Sequence, residues 1–513
     1  MIEPAQSLIA PLDQYNQALV AQVHPFNWVN PTPQAEYDLV VLGAGTAGLV
    51  AAAGAAGLSL GLKVALVEKH LMGGDCLNLG CVPSKCMIRS ARVAADIRNA
   101  ASFGIQPAGV ESDFAAVMTR MRRLRAEISS NDSAARFQKL GVDVFLGQGE
   151  FCDPRSLRVG DQTLRFKKAV IATGTRPAQP NIAGLAEAGY LTNETVFALT
   201  EQPQRLAVIG GGPIGCELAQ AFQRLGSQVM LFHQGDHLLD REDADAAMIV
   251  QQALASDGVQ IRLNAQIQSV ELIEAEKQIA FTTPEQSGSI TVDQILVGAG
   301  RAPNIERLNL AAAGVESDAH GVKVNDYLQT SNPKIFAAGD ICMNWRFTHA
   351  ADAAARLVIK NALFSPFGLT RSKLSSLVMP WVTYTDPEVA HVGLYETEAN
   401  QRGIAVNTIC IPLSSVDRAV VDGETNGLLK ILHQQGSDKI LGATIVARHA
   451  GEMVSELTTA IKHNIGLSKL SSVIHPYPTQ AEAIKKAADA YRRTLLTPRS
   501  QFLLGILAKL SLL

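Results

Sequence analysis

An α/β chain built on two strand–glycine turn–helix units, followed by a smaller α+β unit, is the fold class this sequence predicts. Three observations predict it. Gly43-x-Gly45-x-x-Gly48 follows one apolar run and opens another, Ala-rich one. Gly210-Gly-Gly212-Pro-Ile-Gly215 does the same after a run that starts at Arg205. From about Ser376 the pattern shifts to strand-like runs, Leu428–Leu432 and Ile440–Val446, and then to a helix from about Gly451.

Composition bounds the function. With 513 residues, 47% hydrophobic and 18% charged, the chain can bury several cores and is far too apolar for disorder. A net charge of −3 gives no global basic field to recruit nucleic acid. Seven cysteines exclude a disulfide scaffold and leave room for a redox pair in a reducing compartment. The start, Met1-Ile-Glu-Pro-Ala, lacks the basic and apolar regions of a secretory signal, so a cytoplasmic protein is expected.

Residues 1–36 hold Pro4, Pro11, Pro25, Pro31 and Pro33 and no glycine, which reads as an N-terminal arm. Leu39 to Leu62 is a run of 24 uncharged positions, long enough to span a bilayer. Six of them are glycines, however, and the run changes from a strand (Tyr37–Leu42) to a helix (Leu49 onward), which is the signature of a nucleotide site. Gly43 allows the tight turn, Gly45 lets backbone approach a pyrophosphate, and Gly48 packs helix on strand. Glu68, closing the strand Lys63–Val67, suits ribose hydroxyls. Residues 84–140 read as long helices. Arg120, Arg122, Arg123 and Arg125 on one of them read as a solvated face.

In the second unit the strands are Leu206–Ile209 and Val229–Phe232, and the latter ends at His233 and Gln234 with no carboxylate. An acid there would bind a 2′-hydroxyl and repel a 2′-phosphate, so NADPH is favoured over NADH, with His233 able to donate to phosphate. His233 and His237 are four apart, but Gly235 between them argues against a helix, and no metal site is expected. Two dinucleotide folds in one chain imply two dinucleotides that meet, commonly a flavin and its hydride donor. The tail from Phe502 to Leu513 is apolar except for Lys509. Twelve helical residues reach only about 18 Å, too short to cross a membrane, so docking on a partner chain comes first and a membrane surface second.

Gly73-Gly74-Asp-Cys76-Leu-Asn-Leu-Gly-Cys81-Val-Pro-Ser-Lys85 carries the chemistry. Two cysteines five positions apart can close a small ring across one helical turn, and a nearby helix start and lysine favour reactive thiolates. Cys86, Cys152, Cys216, Cys342 and Cys410 are scattered and read as small core hydrophobes.

Together with Ala172-Thr173-Gly174, Gly298-Ala-Gly300-Arg301-Ala-Pro-Asn304, Phe336-Ala-Ala-Gly-Asp340 and Thr385-Asp-Pro-Glu-Val-Ala-His-Val-Gly393, these segments resemble the FAD-dependent pyridine nucleotide–disulfide oxidoreductases. That family includes dihydrolipoamide dehydrogenase, glutathione reductase and mercuric reductase, and the likeness runs from about Tyr37 to Ala490. It implies FAD on Gly43, Gly45, Gly48, Glu68, Gly74, Lys85, Thr173, Gly174 and Asp340, the last at the ribityl chain. It implies NAD(P) on Gly210, Gly212, Gly215, Glu217, His233 and Gly300, with a Lys85–Glu217 ion pair near flavin N5. Cys81 becomes the charge-transfer thiol and Cys76 the interchange thiol. The implied domains are FAD-binding at 37–195 and 301–375, NAD(P)-binding at 196–300 and dimerisation at 376–495, with an apolar tail at 496–513. The dimerisation domain of such a homodimer carries the acid/base group into the partner's active site.

One motif departs from the family. The disulfide reductases use a histidine in His-Pro-Thr-x-x-Glu, whereas this chain reads His475-Pro-Tyr477-Pro478-Thr479-Gln-Ala-Glu482. Holding Pro-Thr-x-x-Glu in register puts Tyr477 at the histidine's place and His475 two positions earlier. The rival register makes His475 catalytic, at a spacing to Glu482 of seven instead of five. Tyrosine titrates near 10 and histidine near 6.5, so a phenol acting as base at neutral pH loses about a thousandfold in rate. A soft metal ion is bound by thiolates directly and asks of the phenol only a donor or ligand. Mercuric reductase is the relative with tyrosine here, and Glu217-Leu-Ala-Gln-Ala-Phe222-x-Arg-Leu-Gly-Ser227 also looks like that branch. Its metal-handling cysteines are missing, since none follows Cys410 and none precedes Cys76. The expected substrate is therefore a soft metal ion or a related small oxidant, then a disulfide. An FAD-binding scaffold or redox sensor that does not turn over is the reading from another class.

Overall fold

A computed structural model describes residues 8–106, 109, 111–298 and 300–512. Pro4 of the arm, Ala299 of the Gly298–Asn304 segment and Leu513 of the tail lie outside the described residues.

The chain divides into two compact units, Met1–Gly210 with Ala221–Met230 and Gln266–Leu377, and Gly211–Gln220 with Leu231–Ala265 and Val378–Leu513. The first is organised by a sheet whose central strands carry continuous apolar runs, the pattern of strands covered on both faces. Strand β1 (Tyr37–Leu42) lies between β2 (Val64–Glu68) and β4 (Gln162–Ile171), parallel to both. β3 (Val142–Leu146) extends the sheet beyond β2, and Ile335–Ala337 pairs in parallel with β4. Leu39, Val41, Leu66, Val67 and Ile171 are fully buried. The uncharged run of residues 39–62 is thus β1, the glycine turn and helix α2 (Thr46–Ala56). Among the described residues, no helix is long and apolar enough to cross a membrane.

The N-terminal arm is more than a strap. Asp13 caps helix α1 (Gln14–Val23) by accepting the Tyr15 and Asn16 amides, and Leu19, Val20 and Val23 of that helix are fully buried. Trp28 Nε1 then donates to the Val144 carbonyl at 3.0 Å, tying the arm to β3.

The arginine cluster corrects the sequence reading. On helix α5 (Phe114–Ile128) Arg122 and Arg125 are buried, at 5% and 1% exposure. Arg122 pairs with Asp13 at 2.6 Å, and Arg125 donates to Asn16 Oδ1 at 2.7 Å. Only Arg120 and Arg123 remain toward solvent, the latter paired with Glu127.

The second unit holds a five-stranded antiparallel sheet, in the order Pro380–Thr383, Glu388–Gly393, Ile440–Ala447, Leu428–Gln434, Val406–Pro412. Its core also takes the apolar faces of helices Ala450–Lys462 and Glu482–Thr494.

Candidate active site

The sulfur pair sits on a helical corner of the first unit. Cys76 lies in the short helix α3 (Gly74–Asn78), and Cys81 is the first residue of α4 (Cys81–Arg98). Cys76 is half-buried and Cys81 exposed. A hydrogen bond to the Cys81 sulfur raises Cys76 far above the ordinary thiol range, and burial adds to it. Cys76 therefore keeps its proton, and Cys81 stands where the N-terminus of α4 favours negative charge. Thr348, which opens the helix Thr348–Leu363, places its Oγ1 3.4 Å from Cys81 Sγ and also hydrogen-bonds Cys76. Lys85 is half-buried, one turn along α4.

The glycine turn faces this corner. Gly43 has φ +103°, and a Cβ there would fall 2.4 Å from the Ala172 carbonyl oxygen. A Cβ on Gly48 would meet Gly43 O at 1.7 Å, so helix and turn close only around glycine. Gly45 and Gly74 approach each other without side chains. A Cβ on Gly74 would come within 2.7 Å of Gly45 Cα and fill the space over the N-terminus of α2, where a pyrophosphate fits. Glu68 holds the turn, accepting Ala44 N–H at 2.7 Å and His70 N–H at 2.8 Å, and keeps lone pairs for ribose hydroxyls.

Asp340 is largely buried, and burial raises its carboxyl above the usual range, opposed by Arg301 and by Thr175, whose Oγ1 donates at 3.1 Å. Arg301 is the hub. It bonds Asp75, next to Cys76, donates to Thr175 Oγ1 at 2.6 Å, and lies 3.9 Å from Asp340. Thr173 and Asn304 exchange two bonds of 2.9 Å, and Asn304 N–H reaches Gly174 O. Gly300, beyond that crossing, packs near Ala178. The open glycine cradle and the acceptor-rich carboxylates Glu68 and Asp340 fit a flavin dinucleotide.

The second turn follows the strand Arg205–Ile209, which pairs in parallel with Gln294–Val297. Gly210 ends the first unit's part, Gly212 is open on its Cβ side, and Gly215 is buried in the helix Pro213–Leu225. His233 is buried with both ring nitrogens engaged. Nδ1 accepts Gly211 N–H at 3.1 Å, so Nε2–H donates to Asp240 at 2.6 Å. A contact from His233 to a 2′-phosphate requires releasing Asp240. The strand end that lacks a carboxylate in sequence thus has one in space. Glu217 is buried in the second unit, with Oε1 accepting Tyr384 N–H at 2.9 Å. Lys85 belongs to the first unit.

The aromatic–imidazole motif separates its members. His475 is docked on its own subunit, Nε2 3.0 Å from Glu456 Oε1, with a side chain only 5% exposed. Tyr477 is 71% exposed, and its hydroxyl donates to Asp417 at 3.0 Å, which raises the phenol above its ordinary value. Glu482 opens the helix Glu482–Thr494, with Oε2 buried and unbonded and Oε1 3.8 Å from Lys486.

Two model families match. Pyridine nucleotide-disulphide oxidoreductase covers residues 37–355, and the dimerisation domain of the same family covers 379–488. The chain belongs to the pyridine nucleotide-disulphide oxidoreductase family. It is an enzyme family of FAD-dependent flavoproteins with a disulfide redox centre. A mercuric reductase from Lysinibacillus sphaericus is 34% identical over 493 residues, 96% of this chain and 89% of the relative. A dihydrolipoyl dehydrogenase from Chlamydia muridarum is 34% identical over 460 residues, 88% of this chain and 96% of the relative. Among solved structures, a Cu(II) complex of the HOCl-induced flavoprotein disulfide reductase RclA from Escherichia coli superposes with a TM-score of 0.77 at 26% identity, covering 89% of this chain and 100% of that one.

Several residues at the site escaped the sequence reading. Thr348 stands 267 positions from Cys81, and Asp240 seven from His233. Arg301 was read only as part of a motif. Cys152 and Cys410, expected in the core, are exposed. Among the described residues, no three His, Cys, Asp or Glu side chains gather as a metal site.

Proposed function

We propose that the chain is an NAD(P)H-dependent reductase of a small oxidant, mercuric-reductase-like in presenting a phenol instead of an imidazole to its substrate. The observation that carries this reading is the contrast between exposed Tyr477 and His475 held by Glu456. When bound, FAD carries two electrons from the nicotinamide to the sulfur pair. Cys76 then meets substrate with its proton, Cys81 holds the charge, and Thr348 steadies both sulfurs. Arg301 and Thr175 hold Asp340 for the ribityl hydroxyls, and Glu68 serves the ribose.

In the homodimer, Tyr477 of one subunit serves the sulfurs of the other. Raised by Asp417, the phenol stays protonated at neutral pH and acts as donor or ligand. A soft metal ion needs no more than that, since two sulfurs ligate it directly. The mercuric reductase relatives and the Cu(II) complex of RclA support this choice. NADPH is the proposed donor, with Asp240 the group that opposes it. FAD-binding at 37–195 and 301–375, NAD(P)-binding at 196–300 and dimerisation at 376–495 remain the proposed domains. A dithiol that must cycle suits the cytoplasm.

Steady-state turnover with NADPH and NADH against Hg(II), Cu(II), oxidised glutathione and lipoamide tests the reading, on wild type and Tyr477→His. Metal turnover above disulfide turnover, with a gain in disulfide turnover in the variant, is expected. Faster wild-type turnover with lipoamide or glutathione overturns it in favour of a disulfide reductase. Turnover with none, and no long-wavelength thiolate–flavin band on anaerobic NADPH titration, assigns a scaffold.

A further inference from the structure

The redox chemistry leaves one segment unused. Thr497 accepts Ser500 N–H at 3.3 Å and caps a helix, Pro498–Ser511, in which no residue is buried. Phe502 is 70% exposed, Leu503 61%, Leu507 58% and Leu510 61%. At the helical spacing of 100° per residue, Phe502, Leu503, Ile506, Leu507 and Leu510 fall in one arc of about 140°. Gln501, Gly505 and Ala508 lie on the opposite side together with Leu504 and Leu512, and Lys509 stands at the edge of the arc, about 20° from Phe502.

Charge selects what covers that arc. After Asp489 the only charged side chains are Arg492, Arg493, Arg499 and Lys509, in a chain whose net charge is −3. The segment is cationic throughout, so a second copy of it brings like charges together. An acidic surface complements it. Arg499 in the first turn shares the direction of the apolar arc and Lys509 in the last turn flanks it, and their long stems reach headgroup phosphates while the leucines sit among acyl chains. Fourteen residues extend about 21 Å, against the roughly 30 Å hydrocarbon core, so such a helix lies in the interface plane.

We propose that the helix Pro498–Ser511 docks on an acidic lipid bilayer and holds the reductase at the membrane surface. The assignment reverses the order expected from sequence, where a partner chain came first.

Co-flotation of the full-length, FAD-loaded protein with vesicles decides it. One set is pure phosphatidylcholine and the other contains phosphatidylglycerol. The protein is expected to float with the acidic vesicles, with at least about tenfold tighter binding than to neutral ones at low salt. Ile506→Asp with Leu507→Asp, and separately Arg499→Glu with Lys509→Glu, is expected to abolish flotation while turnover in solution and dimer mass stay at wild-type values. Absence of flotation with acidic vesicles, or equal flotation of the apolar double variant, overturns the proposal. A fall from dimer to monomer mass in that variant also overturns it, assigning the face to a second copy.

Discussion

Arg125 Nη1 donates to the Asn78 carbonyl oxygen at 2.6 Å, from a position that is 1% exposed. Asn78 closes α3, the helix that carries Cys76, so a buried guanidinium fixes the C-terminal end of the redox corner. Burial pushes Arg125 down to about 10, aided by Arg122, and it remains cationic near neutrality. Replacing Arg125 by Met strands the Asn78 carbonyl and Asn16 Oδ1. The expected loss is about 2–3 kcal/mol, seen as a fall of roughly 2–5 °C in thermal midpoint. Arg125→Lys should recover only part of it, because an ammonium cannot span both acceptors.

The proton on Cys76 has a pH signature. Its thiol is raised first by the Cys81 sulfur and then by burial, so in the reduced enzyme Cys76 alkylation should keep rising through pH 9 without a plateau. Cys81→Ser removes the leading cause, and the Cys76 profile should then level off at lower pH. Mass-resolved iodoacetamide kinetics on both proteins measure this. Identical profiles would refute the shared proton.

Arg301 answers to both Asp75 and Asp340. Burial raises Asp340, so the folded state holds that proton more tightly than the unfolded chain does, and this carboxyl's contribution to stability falls as pH rises. Arg301 opposes the rise. Without it, in Arg301→Met, the Asp340 carboxylate ionises with no guanidinium beside it. The thermal deficit of the variant should be small near pH 4 and grow toward pH 7. FAD retention on gel filtration should fall with it.

In the proposed NADPH reading Asp240 is the opposing group. Its carboxylate accepts from His233 and is otherwise largely exposed. Asp240→Asn removes a negative charge from the end of the strand Gln228–Phe232. The ratio of kcat/KM for NADPH over NADH should rise about tenfold, the scale of one charge meeting a 2′-phosphate.

The parts that are local in sequence were legible. Gly43 to Glu68 reads as a nucleotide turn because Gly43 and Gly48 are demanded by backbone clashes within 130 residues and because a strand–helix period runs through them. The cysteine segment reads by its spacing together with the nucleotide motif beside it. What failed was partnership at a distance. Arg122 and Arg125 look like a wet face until Asp13, Asn16 and the Asn78 carbonyl are folded over them. His233 shows no acid beside it in sequence because Asp240 returns to it through a turn. Cys152 and Cys410 follow apolar composition in the text but lie on the exposed sides of their strands. The arm's helix was hidden by its flanking prolines.

The docking of His475 on Glu456 has an evolutionary consequence. Because the neighbouring imidazole is tied inward, position 477 projects alone and can be exchanged without disturbing a packed core. Tyrosine and histidine codons differ by one base, so on the proposed reading a single transition exchanges the phenol for an imidazole and one class of acceptor for another.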